Sequence, residues 1–354
     1  MIHILVEKNY QDNMRFTRLT DGICAHLRRR SDLALYNSVS EIPTDARPVI
    51  LISQSMSWSQ KRISELCASG FYPLVFGHRH LSIPDKYSNL TPDYTGAAYK
   101  LLSYIMSQKG RGRVAVLGYN GDSMPDRLKY IGIKQAASEA GVECELFKNH
   151  GNVRDCLSDF IKRADAFDIA VCCNDNVAVA LTAWHPEIAK GLSIGSCSAS
   201  KISEFFKNPY PVCRIDYFAA GEVLYRLADF ISRDDGFSST VMTFDMKTDF
   251  DLPTTAQTLQ SAGEVDFYGD GGLYRMERLD LMLEYADECD LKVLSGLISG
   301  LTNQEIADLC FMAEGTVKYR TKKLFENADV KTRRELIDLL TEFGVTEALS
   351  GSEG

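Results

Sequence analysis

The chain has 354 residues, of which 45% are hydrophobic, 25% charged and 10% aromatic; this is ordinary globular material, long enough for two or three domains with ample cores. A formal net charge of -9 excludes a polypeptide that coats nucleic acid or an anionic membrane along its whole length. The ten cysteines are scattered without C-x-x-C or zinc spacing, so they read as reduced, mostly buried thiols rather than a disulfide framework.

The opening MIHILVEKNY has a strand-length apolar run and then charge, without the longer apolar stretch and small-residue cleavage site of a signal peptide. No uncharged apolar stretch approaches membrane-spanning length, and the expected location is the cytoplasm. Short apolar runs then alternate with helical patterns. Ile2–Val6 reads as a strand, and 14–30 as a helix with Phe16, Leu19, Ile23 and Leu27 on one stripe. Leu33–Tyr36, Val49–Ile52 and Pro73–Phe76 read as strands, with a helix at 59–69. A helix at 93–108 follows, and the alternation restarts: strands at 113–118, 143–147, 169–173 and 192–194, helices at 126–140, 153–163 and 177–184. Buried β-branched strands separated by helices indicate α/β architecture, a parallel sheet covered on both faces. Two successive halves of similar size suggest two lobes, with ligands favoured at the carboxyl ends of the strands.

The loops after these strands carry a resemblance. Arg113-Val114-Ala115-Val116-Leu117-Gly118, Arg127, Gly132 and Gly141-Val142 are similar to the effector-binding domain of LacI-type regulators and type I periplasmic binding proteins. So are Cys173-Asn174-Asp175-Asn176-Val177-Ala178, the Asp-x-x-Gly-Ala stretch from Asp93 to Ala97, Asp216 to Leu224, and residues 239–255. The resemblance spans nearly all of 1–255 and implies two lobes joined by three crossovers around a small ligand. Lobe 1 would be 1–110 plus 216–240, and lobe 2 would be 111–213. It makes Arg127 and Asp175 the best ligand contacts, a planar fork of donors and a carboxylate that can accept two hydroxyls. Tyr10, Ser55, Arg79, Tyr119 and Asp216 would complete the lining. Where the family usually carries an acidic pair after Gly195, this chain has Ser196-Cys197-Ser198, which removes acceptor charge from a sugar site. The family's usual N-terminal DNA-binding headpiece has no counterpart before the first strand.

Residues 256–272 are polar and Gly-rich and read as a linker. Leu273, Met276, Leu279, Leu283 and Ala286 then recur at helical spacing. This connecting helix, within 256–286, would either pair with its twin in a dimer or pack on its own chain. An acidic run of Glu277, Asp280, Glu284, Asp287, Glu288 and Asp290 leads into a basic stretch with Lys318, Arg320, Lys322, Lys323, Lys331, Arg333 and Arg334. A basic patch on an acidic protein suits a regulator better than a DNA-packaging protein.

Residues 290–343 hold four short helical patterns with almost no linker. Thr302 with Glu305, and Thr332 with Glu335, have capping-box spacing. Phe311-Met312-Ala313 leaves room only for a tight turn, as in a helix-turn-helix unit. On the third helix Val317, Thr321, Leu324 and Phe325 fall on one side, with Lys318, Tyr319, Lys322 and Lys323 on the other. The stretch closely resembles the LuxR/NarL-type DNA-binding domain through Val293-Leu294, Gly300 to Ala307, Glu314 to Lys318, Val330 and Arg334-Glu335-Leu336. A domain at 287–345 is expected, with Lys318, Tyr319 and Lys322 facing base edges and Thr316, Arg320, Lys323 and Arg334 holding phosphates. Leu336 and Leu340 of the last helix are candidates for pairing between subunits. Ala313 stands where the family usually has a capping Ser, Arg320 replaces the usual His, and Lys292 an acidic residue.

Gly191-Leu192-Ser193-Ile194-Gly195 matches G-x-S-x-G, but Ser193 falls within a strand rather than on a nucleophile elbow. His78-Arg79-His80 has no Cys or carboxylate cluster to complete a metal site. No enzyme, metal or cofactor is expected. The expected partners are promoter DNA, a small-molecule effector and a second copy of the chain, with no membrane. The rival expectation is an N-terminal domain that has lost its ligand and serves as a dimerisation or protein-docking scaffold.

Overall fold

The computed structural model describes residues 1–8, 11, 14–53, 56–77, 86–121, 123–149, 153–205, 210–233, 239–250 and 270–350. The chain begins with β1 (Ile2–Val6), α1 (Met14–Cys24), β2 (Leu33–Tyr36), β3 (Val49–Ile52), α2 (Met56–Ala68), β4 (Pro73–Phe76), β5 (Ser88–Pro92) and α3 (Tyr94–Lys109). It continues with β6 (Val114–Tyr119), α4 (Met124–Ala140), β7 (Cys144–Lys148), α5 (Val153–Ile161), β8 (Ile169–Cys172), α6 (Asp175–Trp184), α7 (Pro186–Lys190), β9 (Ser193–Ser196) and β10 (Val212–Arg214). Then come α8 (Tyr217–Ser232), β11 (Val241–Phe244) and β12 (Lys247–Asp249). The helical tail is α9 (Asp270–Tyr285), α10 (Glu288–Ile298), α11 (Asn303–Cys310), α12 (Glu314–Ala328), α13 (Arg333–Glu342) and α14 (Val345–Ser350).

The strands form two sheets with one topology, β2-β1-β3-β4-β5-β11 and β7-β6-β8-β9-β10-β12. The first is parallel throughout, with His3 opposite Ala34 on one side and Val49 on the other. Its apolar strands alternate faces with period two. Ile4, Ile50, Ile52 and Leu74 pack with α1 and α8, whereas Leu5, Val49, Leu51 and Val75 pack with α2. In the second sheet Ala115, Leu117, Ala170 and Ile194 pack under α5, α6 and α7.

Two compact units result, 1–96 with 215–247 and 97–214 with 248–354, so the chain changes unit three times. Residues 97–109 go with the second unit, not with the first as expected. The reason is the fit of α3 on β9: a Cβ on Gly195 would lie 2.6 Å from Cδ1 of Ile105 and 3.2 Å from Cδ1 of Leu101. In the first unit α1 and α8 cross at Gly22 and Gly221, where an added Cβ would overlap the carbonyl oxygen of Phe218 or Leu19. Gly221→Ala should therefore force the helices apart and cost about 2 kcal/mol. An unchanged urea midpoint would show that the crossing tolerates a methyl group.

Some elements differ from expectation. α1 stops at Cys24 rather than at residue 30, and Leu27 packs from the following turn. β5 was not foreseen, because SNLTP is polar yet wholly buried. Its Ser88 Oγ bonds the hydroxyl of Tyr72 at 2.8 Å and accepts the N–H of Thr240 at 3.0 Å. The linker region ends earlier than residue 272, since Asp270 already opens α9; the remainder of it lies outside the described residues. No helix among the described residues is long and apolar enough to cross a membrane.

Candidate nucleic-acid interface and sensor site

The helical tail is built on local caps. Asp287 and Asp290 close a capping box at α10, and Thr302 and Glu305 close the expected one at α11. At α13 only half of the expected box forms. Thr332 Oγ1 accepts the N–H of Glu335, but the Glu335 carboxylate takes the N–H of Lys331 at 2.7 Å. The turn between α11 and α12 holds Phe311 at φ 53°, in the left-handed region, with 98% of its surface exposed. Ala313 then opens α12 without a side-chain cap.

Inside, Val317, Leu324 and Ala328 of α12 join Ile306, Leu294 and Leu340 in one core, and Phe325 packs at its margin. Outside, Thr316, Lys318, Tyr319, Lys322 and Lys323 are exposed, Tyr319 to 69%. Lys318 pairs with Glu314 at 2.9 Å and Lys322 with Glu326 at 3.6 Å. Such solvated i,i+4 pairs are worth roughly 0.3–0.5 kcal/mol, so a phosphate can displace them. Arg334 is exposed at the start of α13, with Asp338 3.9 Å away.

Two cations of the basic stretch have other work. Arg320, expected on a phosphate, turns back to Asp287 at 2.9 Å and Asp290 at 2.7 Å and is only 24% exposed. Arg333 donates from Nε to Leu297 O and from Nη1 to Leu301 O, with Nη2 on Gly296 O and Leu297 O. Its fork thereby ties the last turn of α10 to the loop that follows, adding to the N–H groups of Gly300 and Leu301 already on Leu297 O and Gly296 O.

The proposed ligand residues are dispersed among different tasks. Tyr10, Ser55 and Arg79 lie outside the described residues. In the first unit Asp216 caps α8, accepting the N–H of Ala219 at 3.0 Å, and pairs with Lys247. In the second unit Tyr119 ends β6, its ring 5.6 Å from that of Tyr130. Arg127 is exposed on α4, with Nε bonded to the carbonyl of Gly121. Asp175, expected to reach a ligand, is instead 3% exposed and turned into its own unit. It accepts from Tyr210 OH at 2.8 Å, from Ser200 N at 2.9 Å and from Ser200 Oγ. Burial raises its pKa, and these donors offset part of the rise. Ser198, in the stretch that replaces the acidic pair, accepts the N–H of Asp175 at 2.9 Å.

Sequence reasoning passed over Lys129. This buried ammonium of α4 reaches Asp126 at 3.3 Å and the carbonyl of Cys173 just beyond β8. The available signal was an Asp and a Lys three apart on one helix face. The cysteines are thiols, and burial pushes Cys144 and Cys156 up to about 11 and Cys213 up to about 12. These three stay protonated at neutral pH. Ser193 lies within β9 and is 8% exposed, not presented on a strand-to-helix turn.

Residues 289–340 match the family model described as "Bacterial regulatory proteins, luxR family". They are a LuxR-type DNA-binding domain. The chain that carries it is a DNA-binding transcription regulator. The N-terminal part has the fold of LacI-family regulators. A LacI family transcriptional regulator from Enterococcus faecium, solved with bound ribose, is 15% identical with a TM-score of 0.56, covering 73% of this chain and all 100% of its own. The transcription regulator CcpA of Lactococcus lactis is 16% identical with a TM-score of 0.56, over 72% of this chain and 100% of that one. The CelR–cellobiose complex is 13% identical with a TM-score of 0.54, over 72% and 83%. A search of curated proteins found no match.

Within the LuxR-type domain, Leu336 and Leu340 do not await a second subunit. They are 0% and 1% exposed in the domain's own core, closed from below by α14. The connecting helix is likewise settled: Met276, Leu279, Met282 and Leu283 of α9 are buried in the same core. The uncapped start of α12 gives a clean test. Ala313 has extended backbone (φ -73°, ψ 143°), as a capping residue does. Ala313→Ser should add about 1 kcal/mol to the domain's stability, measured by urea unfolding. No gain would mean that the orphan N–H groups of α12 are already well served by water.

Proposed function

We propose that this protein is a sequence-specific, homodimeric cytoplasmic regulator whose N-terminal domain senses a small polar metabolite. The observation that carries the DNA half is the exposed row Thr316, Lys318, Tyr319, Lys322 and Lys323 on a helix whose opposite side is fully committed to the core. Lys318, Tyr319 and Lys322 would read base edges in the major groove, with Thr316, Lys323 and Arg334 on phosphates. Two copies would engage half-sites about one helical turn apart. The sensing half is supported by the shared fold with regulators solved with ribose and with cellobiose. Arg127 and Tyr119, both in the second unit, are the residues put forward as its contacts.

The DNA site should be selected from a random pool with the full-length protein. Lys322→Ala is expected to reduce discrimination between the selected site and random DNA by about tenfold. Lys323→Ala should weaken both equally and lower the slope of log K against log salt by about one. Unaltered discrimination in Lys322→Ala would remove that residue from base readout.

The scaffold reading keeps one specific support, the internal satisfaction of Asp175 by Ser200 and Tyr210. A thermal-shift screen of metabolites separates the two, because a ligand that binds only the folded state must raise the melting midpoint. No stabilising compound among sugars, nucleosides and amino acids would favour the scaffold.

A further inference from the structure

Helix α9 belongs to two structures at once. Its apolar side, Met276, Leu279, Met282 and Leu283, is buried with the LuxR-type core, and that same cluster includes Val179 of α6 and Ile202 from the sensor fold. From its flank the Asp280 carboxylate accepts the N–H of Lys201 and, at 3.1 Å, that of Ile202. These amides open the short 3-10 turn Ile202–Phe205, where the first N–H groups have no partner within the turn. One residue upstream, Ser200 gives its N–H and its hydroxyl to Asp175, which begins α6 just beyond β8. Desolvation lifts Asp280 to about 6, and the two backbone donors pull in the opposite direction.

The far side of α9 grips the end of the recognition helix. Tyr274 OH donates to Asp329 at 2.7 Å, and Arg278 Nη2 donates to the carbonyl of Glu326 at 2.9 Å. In this docked arrangement Lys318, Tyr319, Lys322 and Lys323 stay exposed. The contact therefore does not cover the DNA face, and any influence on DNA binding must act through orientation rather than occlusion.

We propose that Asp280 is a latch that fastens the DNA-binding domain to the 198–205 loop of the sensor, so that a shift of the Asp175–Ser200 pair is passed through α9 to the recognition helix. This rests on the sensor-and-reader assignment above. It adds which contact carries the signal. The coupling works because α9 has side chains committed to both partners, so neither can move without displacing the other or breaking the latch.

Hydrogen exchange on the full-length chain tests it without needing the effector. Asp280→Ala should speed exchange in peptides spanning 198–205 and α9 by about tenfold or more, as expected for loss of a charged acceptor. Asp280→Asn keeps an acceptor oxygen and should do so less; it also serves if the alanine variant fails to fold. The decisive variant is Ser200→Ala, since Ser200 itself bonds Asp175 and Ser203 within the sensor. It should raise exchange in α9 and the second half of α12, and this remote effect should vanish in the Asp280→Asn background. If the effect of Ser200→Ala stops at residue 205, or if both Asp280 variants exchange like wild type, the latch is wrong. A wild-type protein that selects no DNA site would count against the regulator assignment, while the exchange data would still decide the latch.

Discussion

Replacing Arg333 by alanine should destabilise the LuxR-type domain by about 3 kcal/mol, although the residue sits in the basic stretch beside the recognition helix. Its guanidinium reaches the carbonyls of Gly296 and Leu297 at the end of α10 and that of Leu301 in the loop beyond it. Gly296 O and Leu297 O already accept the N–H groups of Leu301 and Gly300, so the guanidinium adds charge-assisted bonds to a turn that is closed by backbone, and a cation there also meets the negative end of the helix dipole. Charge-assisted bonds of this kind are individually worth roughly 1.5–3 kcal/mol, and removing the donor breaks several of them at once. Arg333→Lys should recover only part, because a single ammonium cannot span carbonyls that a planar fork reaches at once. Its neighbour supplies the control. Arg334 points to solvent, so Arg334→Ala should leave the unfolding midpoint within about 0.5 kcal/mol of wild type while weakening DNA binding. Should Arg333→Ala unfold like wild type and fail only in DNA binding, Arg333 would be a phosphate contact and its role in α10 incidental.

The contrast between these adjacent arginines shows what the sequence made legible. Features set within a few residues were readable. The runs ILV and VILI are strands because every side chain on them can be buried, and Thr302 with Glu305 closes a box three residues long. The paired α/β halves and the recognition helix followed from periodicity of the same short range. Polar side chains whose partners are distant were not readable. Arg320 and Lys322 look alike on a basic helix, and only Asp287 and Asp290, some thirty positions upstream, take Arg320 out of the exposed row. Ser88 and Asn89 look like loop residues until Tyr72 and Thr240 arrive to satisfy the strand. Lys129 escaped notice because a lone lysine on an amphipathic helix is ordinarily a solvated one. The resemblance to known families added the three crossovers and the late strands, which local pattern does not encode.

Asp175→Ala should produce the largest loss of stability in the sensor, about 4 kcal/mol. The carboxylate lies at the start of α6 with Tyr210 OH, Ser200 N and Ser200 Oγ all directed at it. Deleting it leaves the buried Tyr210 hydroxyl and the two half-buried Ser200 donors without an acceptor, a loss in the range measured for broken buried polar networks. Asp175→Asn preserves shape but places an NH2 group against at least one donor, so it should fall between wild type and alanine. A residue kept for ligand contact behaves differently. Its removal from an unoccupied site leaves stability unchanged or improves it, because binding groups are held in place at a cost to the fold. Urea unfolding of the two variants without added ligand therefore assigns Asp175 directly. A loss near 4 kcal/mol makes it the structural node of the 198–205 loop and moves the search for effector contacts to Arg127 and Tyr119. Wild-type stability would return Asp175 to the binding site, and would mean that Ser200 and Tyr210 find other partners as readily when a ligand draws the carboxylate away.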